Sequence, residues 1–307
     1  MTAIAEWRGV TKRYAKVTAV QDVSLRLQAG EATALVGHNG AGKTTLIKLL
    51  LGLIRPSSGT VTVAGVDPAG SHGSAARRSL GFLPENVAFH GAMTGAELLS
   101  FYAQLKGHSP KKNAALLERV GIAAAAHRRV STYSKGMRQR LGIAQALIGE
   151  PRLLLFDEPT SGLDPASRID VFDMIDALRG SGATVLVSTH ALAEVEHRVD
   201  RVAVMHGGHL RAAGTLAELR SSVVASVRMQ VHVRHCTTEQ VIKRLGPDVR
   251  CSERSAETLT LQVPPLRKMA VLQALAGLGE IVQDIEISTP GLEQLYRDIV
   301  ADPAASP

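Results

Sequence analysis

This chain of 307 residues is poor in aromatic residues and in cysteine. Aromatic side chains make up 3% of it, whereas 45% of its residues are hydrophobic. Its core must therefore be built mainly from aliphatic side chains. The two cysteines, Cys236 and Cys251, match the spacing of neither a zinc site nor a redox pair. We therefore expect both to be reduced thiols in a cytosolic protein.

Long apolar runs and clustered charges are also lacking. No apolar stretch approaches the roughly 20 residues that a membrane-spanning helix needs. Met1–Trp7 has neither the basic nor the apolar region of a signal peptide. The net charge is +7, but the basic residues are scattered and are not interleaved with aromatic residues. This distribution disfavours nucleic acid as a partner, and we expect none.

What the sequence does contain is a glycine-rich loop between a predicted strand, Ala32–Val36, and a predicted helix. The loop consists of Gly37, His38, Asn39, Gly40, Ala41, Gly42, Lys43, Thr44 and Thr45. Its glycines let backbone amides surround a polyphosphate, its lysine can reach the β and γ oxygens, and the hydroxyl of Thr44 can ligate Mg²⁺. Because the helix also points its positive end at this loop, the pattern predicts nucleotide binding.

Two further apolar runs, Leu153–Phe156 and Thr184–Val187, predict strands that are buried on both faces, as in a parallel sheet. Asp157 and Glu158 follow the first run, and His190 follows the second. Ligands gather at the carboxyl ends of parallel strands, so these side chains are predicted to share one site with the loop. There Asp157 is suited to hold Mg²⁺, and Glu158 to orient or deprotonate an attacking water.

The rest of the chain changes character twice. Residues of about 90–150 are predicted to be helical, over Thr94–Leu105, Lys111–Val120 and Ser134–Ile148. Beyond residue 220, alternating polarity predicts strands at Val223–Val233, Leu259–Val263 and Ile281–Ile287, with helices at Glu239–Leu245 and Leu266–Leu278. The predicted fold class is therefore α/β. A nucleotide-binding domain spans 1–220, with its helical subdomain at about 90–150, and a small α+β accessory domain spans 221–307.

Two helix starts carry polar residues that suit an N-cap. Ser134 precedes the last helix of the helical subdomain, and Asp164 is followed by a proline at the first helical position. The amino end of the Ser134 helix also offers donors to an anion.

Taken in order, these motifs resemble the nucleotide-binding subunits of ATP-binding cassette (ABC) transporters, over about residues 6–218. The resemblance implies a P-loop NTPase fold with a mainly parallel sheet, ATP and Mg²⁺ as cofactors, and ATP hydrolysis coupled to transport. It identifies the segment from Ser134 to Gln139 as the signature motif, in which Ser134 and Gly136 reach the γ-phosphate bound by the other protomer. With a single phosphate loop, the chain is expected to work as a homodimer.

The same resemblance assigns roles to three further residues. Tyr14 is expected to stack on adenine, Asp164 to belong to the D-loop that begins at Ser161, and His190 to contact the γ-phosphate.

Two positions depart from the family pattern. Glu85 stands where the family usually has the glutamine that senses Mg²⁺ and touches the membrane subunit. A carboxylate could still meet Mg²⁺, but the γ-phosphate would repel it. In the signature, Tyr133, Lys135 and Met137 replace the commoner Leu, Gly and Gln. This variant resembles the branch that serves separate ABC-2-type permeases.

A narrower resemblance rests on His38 and on the segment Leu83–Phe89, which are similar to NosF-type ATPases. It implies a NosY-like integral membrane permease, a periplasmic NosD-like subunit, and a role in maturing the copper centres of nitrous-oxide reductase with copper or sulfur species as cargo. The expected location is peripheral, on the cytoplasmic face of the inner membrane. The alternatives are the ATPase of another ABC-2-type exporter, or a soluble ABC ATPase outside transport.

Several histidines and one cysteine invite a metal-binding interpretation. They are His206, His209, His232, His235 and Cys236. Ordinary solvated side chains are the preferred interpretation, because the first two flank a predicted turn and the next two are spaced to face opposite sides of a strand.

Overall fold

The computed structural model describes residues 3–222, 227–234, 241, 244–246, 248–255, 257–288 and 291–301. Contacts divide these residues into two compact units, one through Thr215 and the other from Leu216 onwards. None of the helices in the described ranges has the length and apolar character required to span a bilayer.

The described residues of the first unit form a six-stranded sheet, in the order β5-β6-β7-β3-β8-β9. Its strands are β3 (Ala32–Val36), β5 (Leu80–Leu83), β6 (Leu153–Asp157), β7 (Thr184–Thr189), β8 (Arg201–His206) and β9 (His209–Gly214). All neighbours are parallel except β8 and β9, which form an antiparallel hairpin. Every residue of β3, β6 and β7 is buried. The prediction of three fully buried parallel strands is therefore confirmed.

A second, antiparallel sheet lies in the same unit and was not predicted from the sequence. Among the described residues it has three strands, in the order β2-β1-β4: β1 (Ala3–Tyr14), β2 (Val17–Gln28) and β4 (Ser58–Val63). Trp7 and Leu27 from this sheet join one core cluster with Leu35 of the parallel sheet and Ile47 of the helix α1 (Lys43–Leu50). This cluster holds the strand, loop and helix of the glycine-rich segment in place.

The helical segment between β5 and β6 contains α3 (Gly95–Leu105), α4 (Asn113–Arg119) and α5 (Lys135–Ala146); the short α2 (Gly73–Arg78) precedes it. Thr94 and Glu97 form a capping box at the start of α3. The predicted helix Lys111–Val120 is divided, because a 3-10 turn at Pro110–Lys112 precedes α4. After β6 and β7 come α6 (Pro165–Gly180) and the short α7 (Leu192–Val195).

The second unit begins with α8 (Leu216–Ser222), so the predicted boundary at residue 220 falls inside this helix. Its described strands are β10 (Val227–Val233), β11 (Arg250–Arg254), β12 (Thr258–Val263) and β13 (Val282–Ser288), with the helices α9 (Lys268–Ala276) and α10 (Leu292–Ala301). Residues 223–226, within the first predicted strand, lie outside the described ranges, as does most of the predicted helix Glu239–Leu245.

The four described strands of this unit pair antiparallel throughout, in the order β11-β12-β10-β13. In chain order this is the split βαβ arrangement of the ferredoxin-like fold. Val241 and Leu245 from the first crossover, and Val271 and Leu275 from α9, belong to one cluster with the apolar face of the sheet. The second unit thus has a hydrophobic core of its own.

Candidate nucleotide-binding site

The glycine-rich loop closes tightly between β3 and α1. A Cβ atom on Gly37 would lie 2.5 Å from the carbonyl oxygen of Met205, and one on Gly42 would lie 2.6 Å from that of Ala19. Gly42 also adopts a φ of +104°, which other residues rarely reach. Both glycines are therefore required by close backbone approach, and Gly42 by its conformation as well.

Lys43 is buried in this loop and is surrounded by acceptors. Its Nζ donates to the carbonyl oxygen of Gly37 at 2.6 Å and to that of His38 at 3.3 Å. It also lies 3.1 Å from Oε1 of Glu158. The side chain of Lys43 is 6% exposed, so these contacts compensate the desolvation of its ammonium group and fix its direction.

Glu158 connects this lysine to the end of the neighbouring strand. Its Oε2 lies 2.7 Å from Nδ1 of His190, so one carboxylate bridges a lysine and a histidine from two other segments. The residue has a φ of +48°, in the left-handed region that is uncommon outside glycine and is often found at functional sites.

Ser188, the residue before the last in β7, holds this conformation. Its Oγ accepts from the backbone N–H of Glu158 at 3.0 Å and donates to Oδ1 of Asp157 at 2.5 Å. Ser188 was not among the predicted site residues. The available signal was a hydroxyl at the end of an apolar run, which pairs in register with Asp157 on β6.

A cavity of about 550 Å³ lies over the loop, within the size range of small-molecule sites. It brings together residues from five predicted motifs. They are the loop residues His38 to Thr45 together with Glu85, Glu158, Ser161 and His190, and the start of β2, Val17 to Ala19, completes the lining.

Other predicted site residues lie outside this lining. Tyr14 pairs with Val17 across the β1–β2 hairpin, is 43% exposed, and has the ammonium of Lys12 5.1 Å from its ring centroid. Asp157 is 3% exposed at the end of β6.

Ser134 and Asp164 act as the N-caps of α5 and α6, where their side chains accept from the backbone of Met137 and Ser167. Gly136 lies in the first turn of α5.

The histidines outside the loop are dispersed. His206 and His209 end and begin the strands of the β8–β9 hairpin, and the ring of His206 packs against that of His38 with 4.8 Å between centroids. His232 lies on β10, opposite Asp284 and Thr258. His235 and Cys236 lie outside the described residues.

Comparison with known proteins identifies relatives of this chain. The ABC transporter family matches residues 20–161. The uncharacterized ABC transporter ATP-binding protein YxlF of Bacillus subtilis is 42% identical over 70% of this chain and 72% of its own length. The daunorubicin/doxorubicin resistance ATP-binding protein DrrA of Streptomyces peucetius is 34% identical over 99% of this chain and 94% of its own.

Solved structures agree with these relatives. An ATP-binding subunit of an ABC transporter superposes with a TM-score of 0.65 at 31% identity, covering 71% of this chain and 92% of that one. The protein cbiO1 of Clostridium perfringens, part of the transporter complex cbiONQ, gives 0.65 at 26% identity, covering 72% and 92%. This chain belongs to the ATP-binding proteins of ABC transporters, and it is an ABC ATPase.

Proposed function

We propose that this chain works as a homodimer that hydrolyses ATP to drive an exporter whose membrane permease is a separate protein. The arrangement that carries the proposal is the carboxylate of Glu158, held between Lys43 and His190 at the mouth of the glycine-rich loop. Lys43, Glu158 and His190 line one cavity, which supports roles for them as a cation for phosphate, a base for water and a second polar contact.

Within that site, Lys43 and the loop amides hold the β and γ phosphates of ATP. Glu158 orients and deprotonates the attacking water, and His190 contacts the γ-phosphate. Tyr14 stacks on adenine at the hairpin whose other strand lines the cavity. Ser134 and Gly136 contact the γ-phosphate of the nucleotide bound by the partner protomer. Asp164 caps the helix that follows the D-loop.

The donors near the loop fit Mg²⁺. Thr44, Asp157 and Glu85 offer only oxygen ligands, which is the type that this ion prefers. Mg²⁺ is usually held by one or two carboxylates together with phosphate oxygens, so the ATP itself would complete the coordination. The ion would neutralise charge that develops on the transferred phosphoryl group.

Export is favoured by the relatives that span both units. DrrA proteins, named for resistance to daunorubicin and doxorubicin, cover more than nine tenths of this chain. We therefore propose an amphipathic small molecule as cargo, with ABC-2-type permease subunits as partners at the membrane. Maturation of nitrous-oxide reductase with NosY-like and NosD-like partners is the second candidate, and it rests on His38 and the segment Leu83–Phe89.

Purification from its native membrane tests this proposal. A tagged chain should copurify with an integral membrane protein, and the pair in vesicles should hydrolyse ATP faster with its cargo, tested with daunorubicin, copper(I) and a sulfide donor. Stimulation by daunorubicin supports drug export, whereas stimulation by either of the other two supports the second candidate. Copurification with ribosomes or DNA, and with no membrane protein, would refute the transport role.

A further inference from the structure

Two segments that follow neighbouring strands both contribute to the cavity. After β6 the chain passes through Glu158 and Ser161 before α6 begins, and after β7 it passes through His190 before α7. All three side chains line the cavity. The placement of one segment relative to the other therefore decides how these groups converge on a phosphate.

Besides the Glu158–His190 contact, the carboxylate of Glu194 on α7 joins the two segments. Its Oε2 accepts from Oγ1 of Thr160 at 3.0 Å. Its Oε1 accepts from Nη1 of Arg168 at 2.8 Å, and Nε of the same arginine donates to the carbonyl oxygen of Leu163 at 2.9 Å. Glu194 thus restrains the loop Thr160–Leu163 at both of its ends, once directly and once through Arg168.

The chemistry of this contact favours a carboxylate. Thr160 is 5% exposed, so its hydroxyl needs a partner within the protein. A carboxylate accepts both hydrogen bonds on its two oxygens, whereas a glutamine would have to donate its NH₂ group to the hydroxyl and would lose the negative charge opposite Arg168. The pairing with Arg168 is also charge-assisted, which makes it stronger than a neutral hydrogen bond.

We propose that Glu194 is a positioning residue for ATP hydrolysis. It fixes the loop Thr160–Leu163 against the segment that carries His190, so that Ser161, Glu158 and His190 keep one arrangement around the γ-phosphate. This inference rests on the proposed function of the cavity. Glu194 lies outside the cavity lining, so it acts through its partners and not through contact with the nucleotide.

Steady-state ATP hydrolysis by purified full-length variants tests this role. Because a misplacement of catalytic groups by about 1 Å can cost roughly 100-fold in rate, Glu194→Ala should lower kcat by about 10- to 100-fold while KM for ATP changes less than about threefold. Thr160→Val keeps the side-chain shape and should show part of the same loss. Adding Thr160→Val to Glu194→Ala should cause little further loss, because both changes remove one interaction.

Asp173→Asn is the matched control. Asp173 on α6 pairs with Arg198 at 2.7 Å, beyond the end of α7, without touching the loop. Its loss should change kcat by less than about twofold, as for other exposed ion pairs. Melting temperatures of all variants separate misfolding from misplacement of the catalytic groups. A further variant, Glu194→Gln, is included because it retains the packing volume, as Thr160→Val does.

The outcomes separate this inference from the function it rests on. Wild-type kcat in Glu194→Ala, Glu194→Gln and Thr160→Val, with Lys43→Ala inactive, would overturn the positioning role and leave the ATPase assignment standing. A loss in the Glu194 variants that Asp173→Asn matches would also overturn it. An inactive wild-type chain would refute both.

Discussion

The two units of this chain use their sheets in different ways. In the first unit the central strands are buried on both faces, and polar side chains stand where strands end, as Asp157 and Ser188 do. In the second unit the strands alternate, so that Met229 is fully buried in the core while its neighbour Arg228 is exposed. The first pattern concentrates polar groups at one edge of a sheet, and the second spreads them over one face.

This contrast explains where chemistry is found. Groups at one edge can converge within hydrogen-bond distance of each other, as Lys43, Glu158 and His190 do. Polar side chains that are spread over one face of a sheet, as in the second unit, do not converge on one point. The comparisons divide in the same way: solved cassettes cover 70–73% of this chain, whereas full-length DrrA relatives cover both units. We infer that catalysis belongs to the first unit and that the second adds a different task.

The largest expected difference between the two units follows from the removal of a carboxylate from each of them. Glu158→Gln should lower kcat by about 10²- to 10⁴-fold, because it deletes the proposed base, while ATP still binds and the closed dimer accumulates. Glu286→Gln, on the exposed face of β13, should leave kcat unchanged. Single-turnover hydrolysis and equilibrium ATP binding measure the two effects. Wild-type hydrolysis in Glu158→Gln would contradict the assignment of the base.

Removal of the buried lysine should act on binding. Lys43→Ala takes away a cation for the phosphates and leaves the carboxylate of Glu158 without that partner. Losing one member of a buried charge pair costs about 2–5 kcal/mol, so ATP affinity should fall by at least about 30-fold. Titration with a fluorescent ATP analogue measures it, and Lys268→Ala in the second unit is the control. Unchanged affinity in Lys43→Ala would show that the loop is not the phosphate site.

A substitution that creates a void in the core of the second unit tests whether the stabilities of the two units are independent. Leu261 is fully buried on β12, so Leu261→Ala should destabilise the second unit by about 2–5 kcal/mol. ATP affinity should not change. Hydrogen exchange, followed separately in β12 and in β3, measures both stabilities, with Leu186→Ala in β7 as the reciprocal variant. Loss of ATP binding in Leu261→Ala would show that the first unit depends on the second core.

The sequence predicted best those features that depend on residues close together in the chain. The strands β3, β6 and β7 were evident because continuous apolar runs are what a doubly covered parallel strand requires. The starts of α5 and α6 were evident from Ser134 and Asp164, since an N-cap is a contact between near neighbours. These signals need no knowledge of distant residues.

Features that depend on distant partners were missed. β1 contains a buried glutamate, Glu6, whose pKa is lowered to about 2 by hydrogen bonds from Arg8 and Arg26. A charged residue within a buried strand breaks the apolar pattern, and shifts in register with β2 obscure the alternation. Ser188 and Glu194 were missed for the same reason, because their partners are about thirty residues away in sequence.

Glu85 offers a smaller change at the edge of the cavity. Glu85→Gln removes a negative charge from the cavity lining. Two unit charges about 4 Å apart in water interact by about 1 kcal/mol, so relief of repulsion from the γ-phosphate should raise uncoupled ATPase activity by up to about fivefold. The assay is run with and without the permease, and Glu97→Gln on α3 is the control. Equal rates for Glu85→Gln and wild type, with the permease present, would show that the charge has no effect.

The smallest expected effect concerns His206, whose ring packs against His38 of the loop. Burial, followed by the nearby His38 and Arg211, lowers the pKa of His206 from its usual value of 6.5. The unfolded chain therefore binds this proton at higher pH than the folded chain. The stability of the first unit should fall as the pH drops below 6.5 and should level off below the folded pKa.

Melting curves between about pH 8 and about pH 5 test this coupling through histidine. His206→Asn should weaken the pH dependence of the first unit, because one group that resists protonation in the folded state is gone. His72→Asn, at an exposed histidine, should leave the dependence as it is. The second unit should respond equally in all three proteins, since neither histidine belongs to it. A pH profile that His206→Asn does not change would mean that protonation of this ring does not affect the loop's unit.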